Sequence, residues 1–210
     1  MTRLERNLEV LCEAARNLGA TNTASFNAKG IVVDERVRLK CLVPLCDDYR
    51  LNLMCPPYVM SVQEFGDTLA KYSWAILIQI KESIPTEMAK EIQHANDVAE
   101  LYKSAEFVDS YKKSFDLVKL RLHSIVHKTE AQAFAMGYRF AAGFAAGSCV
   151  LCPECSATKN PQAPCRHPFR ARPSMEAVGI DVFKTAENAG LPFDLPAKTH
   201  IVNNGLILVI

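Results

Sequence analysis

No apolar run in this chain is long enough to cross a bilayer. Residues 75–78 and 206–210 fall far short of the roughly 20 residues a spanning helix needs. The longer stretch 131–147 is interrupted by Gln132, Tyr138 and Arg139. An excess of one charge is also lacking. Lys and Arg number 24 against 23 Asp and Glu, a formal net charge of +1, so no global field recruits nucleic acid or an anionic membrane. The N-terminal segment has no apolar signal core, because Arg3, Glu5, Arg6, Glu9, Glu13 and Arg16 punctuate it. A soluble, cytoplasmic protein is the expectation. P-loop, GxSxG and kinase patterns are absent, and Gly137, Gly143 and Gly147 lack the spacing of a dinucleotide fingerprint. With no internal repeat and no low-complexity linker, the 210 residues are expected to form a single domain, 1–210.

Against these absences stand eight cysteines. A chain of this size buries enough core to need no disulfide staples, and it shows no export signal. Clustered cysteines in a reducing compartment bind metal or do redox chemistry.

The periodicities predict an α/β or α+β fold, a mixed sheet packed by long helices, with two Cys-rich loops at 41–58 and 149–173. Thr2-x-x-Glu5 opens an amphipathic helix ending at Gly19. Residues 25–39 alternate and turn at Lys29-Gly30, which predicts a short hairpin. Ser61-x-x-Glu64 begins a second helix, and WAILIQI from Trp74 to Ile80 reads as a buried strand. A long helical segment covers 86–142, broken near 104–114, and residues 140–148 are compatible with either its continuation or a strand. Pro173-Ser174 is expected to cap a helix running to Asn188. Residues 199–210 are expected to form a strand pair about Asn203-Asn204-Gly205, or one edge strand with a bulge.

The sharper cysteine pattern is Cys149-x2-Cys152-x2-Cys155-x9-Cys165. Three thiolates at three-residue intervals on a loop can reach three corners of a cubane, and a later cysteine closes the cage. Pro153 and Pro164 stiffen that loop. Zinc is the competitor: Cys152, Cys155, Cys165 and His167 make a Cys3His set that leaves Cys149 idle. The second pattern is Cys41-x4-Cys46-x8-Cys55-Pro56-Pro57. Three thiolates hold three irons of a [4Fe-4S] cluster and leave the fourth open to water, substrate or a ligand from elsewhere, including Cys12 or a cysteine of the other group. Cys12 otherwise reads as a buried residue of the first helix.

Several neighbouring residues invite weaker functional readings. Lys159, Arg166, His167, Arg170 and Arg172 crowd the second loop, either to tune an anionic cluster and attract an acidic partner, or as a solvated face paired with carboxylates such as Glu154 and Glu176. His123, His127 and Glu130 share one helical face and could chelate a metal, although amphipathic packing explains them equally. Tyr58 could stand beside an open iron or simply pack.

The combination Cys41…Cys46…Cys55-Pro-Pro, GSCVLCPEC, Cys165-Arg-His-Pro and RPSMEAVGIDVF resembles a family of predicted metal-binding proteins (domain of unknown function 2284) over roughly residues 25–210. The resemblance implies cysteine-bound metal, iron–sulfur in anaerobic bacteria and archaea, and no particular reaction. It carries over onto Cys41, Cys46, Cys55, Cys149, Cys152, Cys155 and Cys165. The expected function is redox chemistry on a small molecule or electron transfer, through one or two [4Fe-4S] clusters, with Zn2+ in a non-redox binding protein as the alternative. The expected partners are a redox protein or a small-molecule substrate, with neither nucleic acid nor membrane.

Overall fold

A computed structural model of the chain describes residues 1–95, 98–101, 103–193 and 200–209. Its regular elements are α1 (Arg3–Asn17), β1 (Asn22–Asn27), α2 (Glu35–Leu39), α3 (Val62–Leu69), β2 (Trp74–Ser83), α4 (Thr86–His94), α5 (Val98–Leu101), α6 (Ala105–Ala135), β3 (Ala142–Ala145), α7 (Ser156–Lys159), α8 (Val182–Asn188) and β4 (His200–Val209). The four strands pair antiparallel in the order β1-β2-β4-β3. Helices pack on this sheet, as the alternation of helical and strand periodicities predicts.

Both predicted capping boxes form. Thr2 and Glu5 exchange side-chain and backbone hydrogen bonds at the start of α1, as do Ser61 and Glu64 at α3, each satisfying two amides that a helix start leaves unpaired. The α1 helix ends as Gly19 takes φ +106, a left-handed conformation that suits glycine.

The strand β2 is apolar on both faces because both are covered. Ile76, Ile78 and Ile80 pack with Leu8 and Leu11 of α1 and Leu122 and Val126 of α6. Ala75 and Leu77 face Phe65, Met175, Val178 and Ile180 on the opposite side. Each buried Ile or Leu contributes about 1.5–3 kcal/mol, so the sheet and its two coverings are held without help from the cysteine loops.

Four expectations are corrected. Residues 25–39 form no hairpin: β1 pairs with β2, and after a short 3-10 turn the chain enters α2. The helical segment ends at Ala135 and not at 142, and of the two alternatives for residues 140–148 the strand forms, as β3 over 142–145. Pro173-Ser174 starts no long helix; a 3-10 turn (Glu176–Val178) precedes α8, whose N-cap is Asp181. Gly179 lies between them at φ +86, which breaks the helical path. Lastly, β4 is one unbroken strand at the centre of the sheet, since Asn203 and Asn204 are buried and hydrogen-bonded inside it. Residues 199 and 210, the outer ends of that expectation, lie outside the described residues.

Candidate metal centre

The two cysteine loops leave opposite halves of the sheet and meet at one end of it. The loop carrying Cys41, Cys46 and Cys55 runs between α2 and α3, and the loop carrying Cys149 to Cys165 follows β3. An isolated antiparallel bridge between Val33 and Ile180 fixes the approach to the first loop. The Asp34 amide donates to the Gly179 carbonyl at 2.8 Å, and the Asp181 amide to Val32 at 2.8 Å. This bridge sets α2, and hence Cys41, beside the turn that carries Glu176.

The first loop is shaped by its own backbone. The Cys46 amide donates to the Cys41 carbonyl, Tyr49 to Cys46, Cys55 to Asn52, and Tyr58 to Cys55. Both X-Pro bonds in it, Val43-Pro44 and Pro56-Pro57, are cis. Cys41, Cys46 and Cys55 line one cavity of about 440 Å³ together with Lys40, Asp48, Tyr49, Glu176, Gly147 and Ser148, and with apolar walls from Val37, Pro56, Ile180 and Phe183. Burial raises the Cys55 and Cys41 thiols above the ordinary range, and the negative charge of Glu176 pushes both further in the same direction.

The second loop gathers its four cysteines round a smaller cavity of about 20 Å³, lined by Cys149, Cys152, Cys155 and Cys165 with His167, Asn52 and Met54. Arg166 closes the loop by donating to the Glu154 carbonyl at 2.7 Å, and Ser156 Oγ donates to Pro164 at 3.0 Å. The His167 amide donates to Cys165 Sγ at 3.3 Å. Burial pushes the Cys149 thiol up to about 11, against a hydrogen bond from the Leu151 amide, and the other three cysteines raise it further. Thiols held protonated by burial bind a cation by giving up those protons.

One thin wall separates the cavities. Asn52 and Met54 face the four-cysteine side while Cys55 faces the other, and Cys149 and Ser148 divide in the same way. Consecutive Cα atoms stand only about 3.8 Å apart, so the two sites are immediate neighbours. Three hydrogen bonds lock the wall: Asn52 Nδ2 to the Cys149 carbonyl at 2.8 Å, the Ser174 amide to Met54 at 3.0 Å, and Thr158 Oγ1 to Leu51 at 3.2 Å.

Of the remaining candidates, Arg166 lines the four-cysteine cavity and the others fall outside both. Cys12 is 2% exposed within α1 against the apolar core. His123, His127 and Glu130 form no chelate: His123 is buried, His127 Nδ1 lies 2.9 Å from the His123 carbonyl, and Glu130 pairs with Arg172 and accepts from the Gly143 amide. Of the loop cations, Lys159 pairs with Glu154 at 3.1 Å. Tyr58 donates to the Arg50 carbonyl, and the tyrosine lining the cavity is Tyr49. Among the described residues, no three His, Cys, Asp or Glu side chains form a ready-made site for a single metal ion.

From the sequence Glu176 is expected only as a partner for the loop arginines, and Asn52 carries no expectation. Glu176 Oε2 instead accepts from the Gly147 amide at 3.0 Å and Ser174 Oγ at 2.8 Å. It lies within the segment RPSMEAVGIDVF that carries the family likeness, which was the available signal; Asn52 had none. A family model described as "Predicted metal-binding protein (DUF2284)" matches residues 24–209. No curated protein and no solved structure matches the chain.

Proposed function

We propose, since the chain belongs to this family of predicted metal-binding proteins, that it is a two-centre iron–sulfur protein acting in redox chemistry on a small molecule. Cys149, Cys152, Cys155 and Cys165 would hold one [4Fe-4S] cluster, and Cys41, Cys46 and Cys55 a second with one position free of thiolate. When bound, such clusters supply one-electron transfer and, where a thiolate is missing, a Lewis-acidic position.

The observation that carries this reading is the shared wall, with Asn52, Met54 and Cys149 belonging to one site and Ser148 and Cys55 to the other. Neighbouring centres with unequal ligand sets suit delivery of electrons to a substrate at the less enclosed one. The residues of the larger cavity divide the remaining work. Val37, Pro56, Ile180 and Phe183 exclude water from one side, and Ser148, Lys40 and Asp48 offer polar contacts to a ligand carrying sulfur or oxygen. Anaerobic reconstitution followed by iron and sulfide analysis tests the proposal. About eight irons per chain are expected, and fewer than about five would refute two cubanes.

A zinc reading draws on two observations at the four-cysteine site, the small cavity of about 20 Å³ and the presence of His167 in its lining. It leaves Cys149 without a role, although Cys149 lines the same cavity as the other three cysteines. Colour separates the readings, since a zinc protein is colourless and a cubane protein is brown.

A further inference from the structure

We propose that Glu176 is the fourth protein ligand of the three-cysteine centre, a carboxylate that closes the site at rest and gives way to an incoming ligand. This rests on the two-centre reading and asks what stands at the position the three thiolates leave.

Cysteine is not available for that position. Cys12 is packed in the core of α1, and the other four cysteines line the neighbouring cavity. Three carboxylates line the three-cysteine cavity: Asp48, Glu176 and Asp181. Asp181 Oδ1 caps α8, accepting from the Lys184 amide at 3.0 Å, and Asp48 Oδ1 accepts from Asn52 Nδ2 at 3.2 Å. Both Glu176 hydrogen bonds fall on Oε2, and among the described residues none is made by Oε1. Among the described residues, Asp48 and Asp181 likewise keep one oxygen without a hydrogen bond, but Glu176 is the one of the three whose carboxylate is held by two donors from separate segments, Gly147 and Ser174, with Oε1 left uncommitted.

A carboxylate is a harder ligand than a thiolate and holds a soft centre less firmly. Glu176 would keep solvent off the centre at rest and yield to a soft ligand such as a small thiol, taking up the thiol's proton as it leaves. The apolar walls fit a small organic thiol better than an ion.

The test uses the reconstituted full chain, EPR and Mössbauer spectra, and 2-mercaptoethanol as the probe. Glu176→Cys should give a second centre with an all-thiolate spectrum that no longer responds to the probe. Glu176→Ala should bind the probe about tenfold more tightly than wild type, the factor expected if the free position is open about a tenth of the time in the wild type. Glu176→Gln keeps an acceptor for Gly147 and Ser174, and should resemble Glu176→Ala in spectrum while melting like wild type. Asp48→Asn should leave both readouts unchanged. Spectra and probe affinity that are identical across the Glu176 variants, or that move with Asp48 instead, overturn the assignment. If Cys41→Ala and Cys46→Ala leave the iron content unchanged, it is the two-centre reading that fails.

Discussion

His123 is 1% exposed, and among the described residues neither ring nitrogen has a hydrogen-bond partner. Burial, and then the charges of Arg172 and Lys119, bring its pKa down from about 6.5 to about 4. As pH falls, the unfolded chain takes up this proton first. Stability present above pH 6.5 is therefore lost progressively towards pH 4, roughly 3 kcal/mol. His123→Leu should flatten that slope, as read by urea midpoints at pH 7 and pH 5. Asn52, 4% exposed, is the second residue with a definite consequence. Asn52→Ala removes the donor to the Cys149 carbonyl and the acceptor for the Met54 amide, leaving buried groups unpaired. It should cost about 1–3 kcal/mol by urea denaturation and lower the metal the protein retains. The grouping of the seven loop cysteines round two cavities was legible because their spacing is a local signal. Glu176 was legible only through the segment that carries the family likeness, and Asn52 not at all, because its bond to Cys149 spans 97 positions.

Among the elements, those whose signals are local were read correctly: α1 and α3 from their capping boxes, β2 from its apolar run. At β4 a turn signal competed with tertiary packing, and packing won. Asn203-Asn204-Gly205 reads as a turn, but in β4 it lies under α6, where a Cβ on Gly205 would stand 2.4 Å from Val126 Cγ2 and 3.3 Å from the Phe144 carbonyl oxygen. Glycine serves there to let a helix approach a strand. Gly205→Ala should destabilise the protein by about 1–3 kcal/mol through overpacking, visible as a lowered melting temperature. A paired Val126→Ala should recover part of that loss if the clash is the cause, which a double-mutant cycle would quantify.

At the scale of the whole molecule, the core clusters on both faces of the sheet are built from α1, α3, α6, α8 and the strands, and Cys12 is the one cysteine among their residues. Metal removal should therefore leave the fold standing, unlike a zinc finger, which unfolds without its ion. Apo protein prepared with a chelator should keep its far-ultraviolet circular dichroism. Residues 41–58 and 149–173 should become the first sites of limited proteolysis and gain amide exchange while β2 and β4 stay protected. Loss of the far-ultraviolet signal on chelation would show instead that the loops hold the sheet together.

The place of β4 between β2 and β3 has a consequence for biogenesis. On the ribosome, β1 and β2 can pair as soon as both have emerged, but among the described residues β3 has no partner in the sheet other than β4. The two cysteine loops hang from these separate halves, so the wall between the two cavities closes only after β4 has been translated and inserted. Metal loading is then expected to be a late event, and nascent chains lacking β4 should retain less metal than the finished protein.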